Sequence, residues 1–257
     1  VARAVLVFLL LAGVAGGLVF AVDPALDLQA AGFFHDAVAR TEWRPLLPTL
    51  TLLRALEPLV TVAAAAPAVL VLAMKALRPR SPMPVSSRAA LFVIVTLALG
   101  PGLLVNGILK ESWNRPRPGE VTEFGGNLGF VPWWDPRGGC DSNCSFVSGE
   151  TSSAVWLTAP AFVAPAPWRL LALGVALVYA TGIGFMRLLT GGHFPSDVMF
   201  AVVFTGLVLW AVHGLLYRWQ ATRLEEGSID AFLERIASPV IRFFGGKAPT
   251  PPRRATD

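Results

Sequence analysis

The chain has 257 residues, of which 54% are hydrophobic and only 15% carry a charge. A soluble domain usually carries about 25% charged residues, so the deficit excludes an ordinary soluble globular domain and points to a membrane protein. The mean hydropathy of +0.59 agrees, and the uneven distribution of charge along the chain says more than the formal net charge of +4.

Six stretches free of Asp, Glu, Lys and Arg are predicted to cross a bilayer: Ala4–Val22, Pro58–Met74, Ala89–Leu109, Thr151–Trp168, Leu170–Met186 and Val198–Tyr217. Each lies near the roughly 20 apolar residues that a spanning helix needs, and in lipid the backbone must satisfy its own polar groups, which makes the spans helical. The fold class expected is therefore all-α, a polytopic membrane protein with six transmembrane helices in a bundle. Ala4–Val22 is read as a span and not as a signal peptide. Its apolar run exceeds the usual core of about 7–15 residues, and no small-x-small cleavage site precedes Asp23. Between the first two spans, Phe33, Phe34 and Trp43 mix with Asp27, Asp36, Arg40 and Arg44 in a stretch expected to lie at the outer interface. Kinks are expected at Gly100-Pro101-Gly102 and at Pro160.

The loop "KALRPRSPMPVSSR" carries four basic residues and no acid. Basic loops stay in the cytoplasm, so the N-terminus and this loop are placed inside, and the loop 111–148 outside. That assigns residues 1–217 to a six-span domain and 218–257 to a cytoplasmic tail. In the tail, "SIDAFLERIASPVIRFFGG" has helical apolar spacing and is shortened by Pro239, and "KAPTPPRRATD" reads as a disordered end. Cys140 and Cys144 both fall in the outer loop, where a short disulfide is the natural reading in an oxidising compartment, with two free thiols as the alternative. Two thiols with no nearby His do not make a zinc site.

Three polar clusters stand where spans end on the outer side. The first is "KESWNRPRP", with Lys110, Arg115 and Arg117; the second is "CSFVSGETSS", with Ser148, Gly149 and Glu150; the third is "MRLLTGGHFPSDV", with Arg187, His193 and Asp197. Any one of these charges alone would be an interfacial anchor. Together they supply fork-shaped donors suited to phosphate oxygens. Ser148-Gly149 opens a helix whose N-terminus favours an anion. His193 is followed at i+4 by Asp197, a spacing that lets the carboxylate hold one ring nitrogen and leave the other free to attack. His35 and His213 lie outside the clusters and are expected to be structural.

These residues resemble the type-2 phosphatidic acid phosphatase family. Lys110, six residues, then Arg117-Pro118 fit its first motif. Arg187, His193 and Asp197 fit the third, with Met186 in place of its Ser. "VSGE" stands where the family has Pro-Ser-Gly-His, so Val147 replaces the Pro and Glu150 the His; the "NCSFVSGE" variant is similar to bacterial lipid A phosphatases of this family. The resemblance implies a metal-independent lipid phosphatase with His193 as nucleophile, Asp197 as its orienter, and Lys110, Arg117, Arg187, Ser148 and the Gly149 N–H as phosphate binders. Glu150 is then the candidate acid, with a simple helix-capping role as its alternative. The expected setting is a bacterial inner membrane with the site facing the periplasm. The expected substrate is a lipid phosphate monoester or pyrophosphate. No cofactor, metal or nucleic-acid partner is expected, and oligomeric state is left open. Two other functions fit the same residues: a phosphotransferase using the same histidine, and a lipid-phosphate-binding protein impaired in turnover.

Overall fold

Apolar runs without charge leave the backbone no polar neighbour but itself, and five of the six expected spans are helical throughout. The computed structural model describes residues 2–39, 44–78, 83 and 85–243; for 35–39, 44 and 240–243 it describes the backbone alone. The helices are α1 (Ala2–Val22), α2 (Ala25–Ala39), α3 (Leu47–Leu77), α4 (Ser87–Ser112), α5 (Gly149–Trp156), α6 (Thr158–Val163), α7 (Ala166–Leu189), α8 (Pro195–Arg218) and α9 (Glu226–Phe243). Among the described residues, α1, α3, α4, α7 and α8 are long and apolar enough to cross a membrane. The chain is thus a multi-pass helical membrane protein. The remaining expected span, Thr151–Trp168, is divided between α5 and α6. Pro160 has no N–H to offer the Trp156 carbonyl, and the helix breaks at Leu157, whose N–H turns back to Ala154 O at 3.2 Å.

Two compact units are present. The larger, Val1–Ala64 with Val95–Val212, holds all three polar clusters. Within it α1 packs on α8 through small residues: a side chain at Gly13 or Gly16 would meet Val203 or Met199, and one at Gly206 would meet Leu9. Such close backbone approach is how helices associate without a hydrophobic drive from lipid. Helix α5 packs on α7 in the same manner, with Ala154, Val155, Ala180, Ile183 and Met186 in one buried cluster. Met186 therefore belongs to the core. Ser152 and Thr205 share a hydrogen bond of 2.6 Å between α5 and α8, and Trp156 Nε1 donates to Thr96 Oγ1 at 3.1 Å. The loop 113–148 is pinned by aromatics: Phe146 stacks on Trp113 with centroids 4.9 Å apart and meets Phe200 edge-on at 5.5 Å.

The kink expected at Gly100-Pro101-Gly102 takes a different form. Ala98–Leu109 winds as a π-helix inside α4. The Lys110 N–H reaches Val105 O, five residues back, and Asn106 Nδ2 donates to Pro101 O at 2.7 Å. Such wide turns inside an α-helix often mark functional sites.

The stretch after Asp23, expected to be amphipathic, has one buried side. It forms α2, and Asp27 and Ala31 on it are buried. Trp43 and the side chains of His35, Asp36, Arg40 and Arg44 lie outside the described residues.

The smaller unit, Ala65–Ile94 with His213–Asp257, contains α9. Asp230 of α9 accepts from Lys75 Nζ at 2.9 Å and from Ser87 Oγ, and Glu226 accepts from the Ser87 N–H at 3.2 Å. Pro239 does not end this helix, which continues to Phe243. Ser238 Oγ donates to Arg235 O at 3.0 Å, occupying the carbonyl that Pro239 leaves without an amide partner. His213 stacks on Tyr217 at 4.9 Å, a packing role. The expected disordered end, 247–257, lies outside the described residues.

Candidate active site

Each cluster sits at a helix end, and the larger unit brings the three together. Pro195 opens α8, and Asp197 in its first turn reaches back to accept the Phe194 N–H at 2.9 Å. His193 comes just before this start. Gly191, at φ +62, makes the turn from α7. Gly192 lies so close to Arg187 that a side chain there would overlap the guanidinium. Ser148 caps α5, its Oγ accepting from the Thr151 N–H at 3.3 Å.

His193 is 1% exposed. Its Nδ1 lies 2.8 Å from the Ser145 carbonyl oxygen. A carbonyl only accepts, so Nδ1 carries a proton, and in the neutral ring Nε2 holds the lone pair. Nε2 has no hydrogen-bond partner. It faces Glu150 Oε2 at 3.7 Å, and Arg187 Nε approaches the same oxygen at 3.5 Å. Three buried polar atoms, Glu150 Oε2, Arg187 Nε and His193 Nε2, therefore converge without a hydrogen bond among them. Buried polar groups in this state call for a reason: Arg187 Nε is a donor that a phosphate oxygen would satisfy by taking the place of Glu150 Oε2, and Nε2 faces the same point.

The expected hydrogen bond from His193 Nδ1–H to Asp197 is replaced by one to the Ser145 carbonyl. Asp197 Oδ2 is 3.7 Å from Nδ1, beyond hydrogen-bonding range. Its oxygens are taken by Arg115 Nη1 at 2.5 Å, Ser145 Oγ at 2.5 Å and the Phe194 N–H. Asp197 thus acts on His193 through Ser145 and through its charge. Sequence reasoning gave Ser145 no role; its one visible signal is its place inside the second cluster, three residues before Ser148.

Arg115 and Arg117 have separate roles. Arg115 is fully buried between two carboxylates, donating through Nη2 to Asp27 Oδ2 at 2.8 Å and through Nη1 to Asp197 and to Ser196 Oγ. It also lies 4.5 Å above the Phe194 ring. Burial pushes the Asp27 carboxyl up from its ordinary pKa and the Asp197 charge adds to this, while Arg115 and Ser196 oppose it. Arg117 turns to the other clusters. It donates to the Asn143 carbonyl at 2.7 Å and to Asn143 Oδ1 at 3.0 Å.

Lys110 Nζ donates to the same Asn143 Oδ1 at 3.2 Å. It also lies 3.0 Å from where a side chain on Gly149 would begin, so Gly149 lets the ammonium approach the start of α5. Asn143, at φ +50, tolerates a left-handed conformation that bulky residues avoid. It stands between Cys140 and Cys144, whose sulfurs are in bonding contact with Cα atoms 5.8 Å apart.

Lys110, Arg117, Gly149, Glu150, Arg187 and His193 are thus brought to one place. The Ser148 hydroxyl is engaged in capping and its N–H donates to Asp197 O at 3.3 Å. Glu150 is an ion-pair partner as well as a first-turn acid. Burial pushes its pKa up, but His193 in its doubly protonated form, Arg187 and Lys110 outweigh this and hold the carboxyl well below the usual range. Arg54 of α3, absent from the clusters, donates to Glu150 Oε1 at 3.0 Å. No group of three or more metal-ligating side chains occurs among the described residues.

A family model described as the PAP2 superfamily matches residues 89–223. The chain is 42% identical over 132 residues to the lipid A 4'-phosphatase of Francisella tularensis subsp. novicida, covering 51% of this chain and 60% of that protein. It is 42% identical over 118 residues to the lipid A 4'-phosphatase of Rhizobium leguminosarum, covering 44% and 51%. It is 46% identical over 102 residues to that of Rhizobium etli, covering 40% of each. The matches span about two-fifths to three-fifths of the length of these relatives. No solved structure matches.

Proposed function

The chain belongs to the PAP2 superfamily, and from that premise we propose that it is a metal-independent lipid phosphatase of a bacterial inner membrane, working through a phosphohistidine at the periplasmic face. The observation that carries the reading is the tautomer of His193: with Nδ1–H bonded to the Ser145 carbonyl, the lone pair of Nε2 faces an anion site. Nε2 attacks phosphorus as the bond from phosphorus to the lipid oxygen breaks, and that oxygen leaves with a proton from solvent. Arg187, Arg117 and Lys110 balance the charge on the phosphoryl oxygens. Water then attacks phosphorus, the P–Nε2 bond breaks, and phosphate departs. Asp197 favours the positive ring that phosphorylation creates.

Glu150, 3.7 Å from Nε2, is the side chain placed to relay that solvent proton to the leaving oxygen, with a purely helix-capping role as the alternative. The substrate class is a phosphate monoester on a lipid head group, with lipid A supported by the names of the relatives. The basic loop containing Lys75 and Arg88 supports the inside-out assignment. The test is phosphate release from a panel of purified lipids, lipid A included, by wild type and His193→Ala in detergent. Release by wild type and none by a folded His193→Ala is expected. Equal release by both removes the phosphohistidine. Loss of the lipid phosphate that requires an added alcohol, with the phosphoryl group recovered on that alcohol and no free phosphate, identifies a transferase instead.

A further inference from the structure

Arg54 comes from a helix that contributes nothing to the three clusters, yet it reaches the centre of the site. Its Nε holds one oxygen of Glu150 at 3.0 Å, and the other oxygen of that carboxylate lies near Arg187 and His193. An anion thus already stands beside the nucleophile, and it is the protein's own. Two observations separate Arg54 from a lipid-facing anchor. Glu57, three residues on and hence on the same face of α3, is buried and accepts from Thr61 Oγ1 at 2.8 Å. The charge of Arg54 also acts on both Lys110 and Arg187, as that of Arg117 does. Cations from α3, α4 and α7 therefore surround one carboxylate, while Arg115 is already matched by Asp27 and Asp197. The Arg54 side chain is 50% exposed against 2% for Arg187, which puts it where an arriving head group is met first.

We propose that Arg54 is a substrate-binding residue of this site, which holds Glu150 while the site is empty and bonds a phosphate oxygen once the phosphoryl group is seated beside His193. The inference rests on the phosphatase reading above. An oxyanion between Arg187 Nε and His193 Nε2 displaces Glu150 Oε2, and the planar fork of Arg54 then serves both anions.

The test uses the full chain in detergent and reads two quantities. One is binding of inorganic phosphate and of orthovanadate by calorimetry; the other is the kinetics of lipid phosphate release. Arg54→Gln is expected to weaken oxyanion binding and raise KM by roughly tenfold or more, with kcat changed much less, as loss of a charged hydrogen bond predicts. Arg54→Lys keeps the charge without the fork and is expected to recover part of both. A purely structural role would lower Tm while leaving KM and oxyanion binding unchanged, and that result overturns the proposal. Wild type that binds oxyanion but releases no phosphate from any lipid defeats the phosphatase reading alone, and the Arg54→Gln binding comparison still decides Arg54. Wild type that binds neither anion overturns both.

Discussion

The carbonyl oxygen of Ser145 accepts the Nδ1 proton of His193 at 2.8 Å, while the hydroxyl of the same serine donates to Asp197 at 2.5 Å. One residue therefore fixes the tautomer of the ring and carries the influence of the carboxylate to it. Ser145→Ala keeps the carbonyl and removes only the link to Asp197. A lost hydrogen bond to a charged group costs about 1.5–3 kcal/mol, so turnover is expected to fall roughly ten- to hundredfold, far less than in His193→Ala. Steady-state kinetics on the two folded variants decides this; equal losses would mean that the hydroxyl is as essential as the ring.

Arg115 makes a structural prediction. Removing a buried partner leaves the opposite charges uncompensated, at a cost of about 3–5 kcal/mol. Arg115→Ala strands Asp27 and Asp197 together, so it is expected to lower Tm strongly or to prevent folding. Asp27→Asn with Arg115→Ala should lose less than the two single changes summed, because they share one network. Thermal unfolding in detergent measures the coupling, and simple additivity would contradict it.

Glu150 sets a pH dependence. Its folded pKa is depressed, so its contribution to stability is full above the unfolded value of about 4.5 and is lost as pH falls toward the folded value. The Tm difference between wild type and Glu150→Gln is expected to be flat from pH 8 to 5 and to shrink below about pH 4.5. A difference that grows on acidification would show that the neutral carboxyl is the favoured form.

The Cys140–Cys144 pair frames Asn143, whose side-chain oxygen serves both Lys110 and Arg117. Protein isolated from an oxidising compartment is expected to give a disulfide-linked peptide by mass spectrometry without reduction. Reduction should raise KM more than it lowers kcat, because it loosens the loop whose Asn143 holds Lys110 and Arg117 and leaves His193 in place. Full alkylation of both thiols before reduction would refute the bond and the outward placement of the loop.

Lys110, Arg117, Arg187, His193 and Asp197 were legible in the sequence because regular spacing at helix ends carries them, and helix periodicity is local. Ser145, Asp27 and Arg54 were not. Each acts across a long stretch of chain, as with the pairing of Arg54 and Glu150, and a lone arginine near a span end is indistinguishable from an anchor. Arg115 and Arg117, two residues apart, offered equal claims on phosphate; only the buried partners Asp27 and Asp197 separate them. The Thr151–Trp168 stretch has the apolar composition of a span but is divided by the missing amide of Pro160, whose effect depends on how the surrounding helices receive the break.

The π-helical run in α4 gives the extra residue in its turns an angular meaning. One residue of α-helix turns the chain by about 100°. Rewinding Ala98–Leu109 as an ordinary α-helix of unchanged length would turn the side chain of Lys110 away from Asn143 and Gly149. The wide turns thus serve as a rotational setting for the first cluster, aiming its lysine inward.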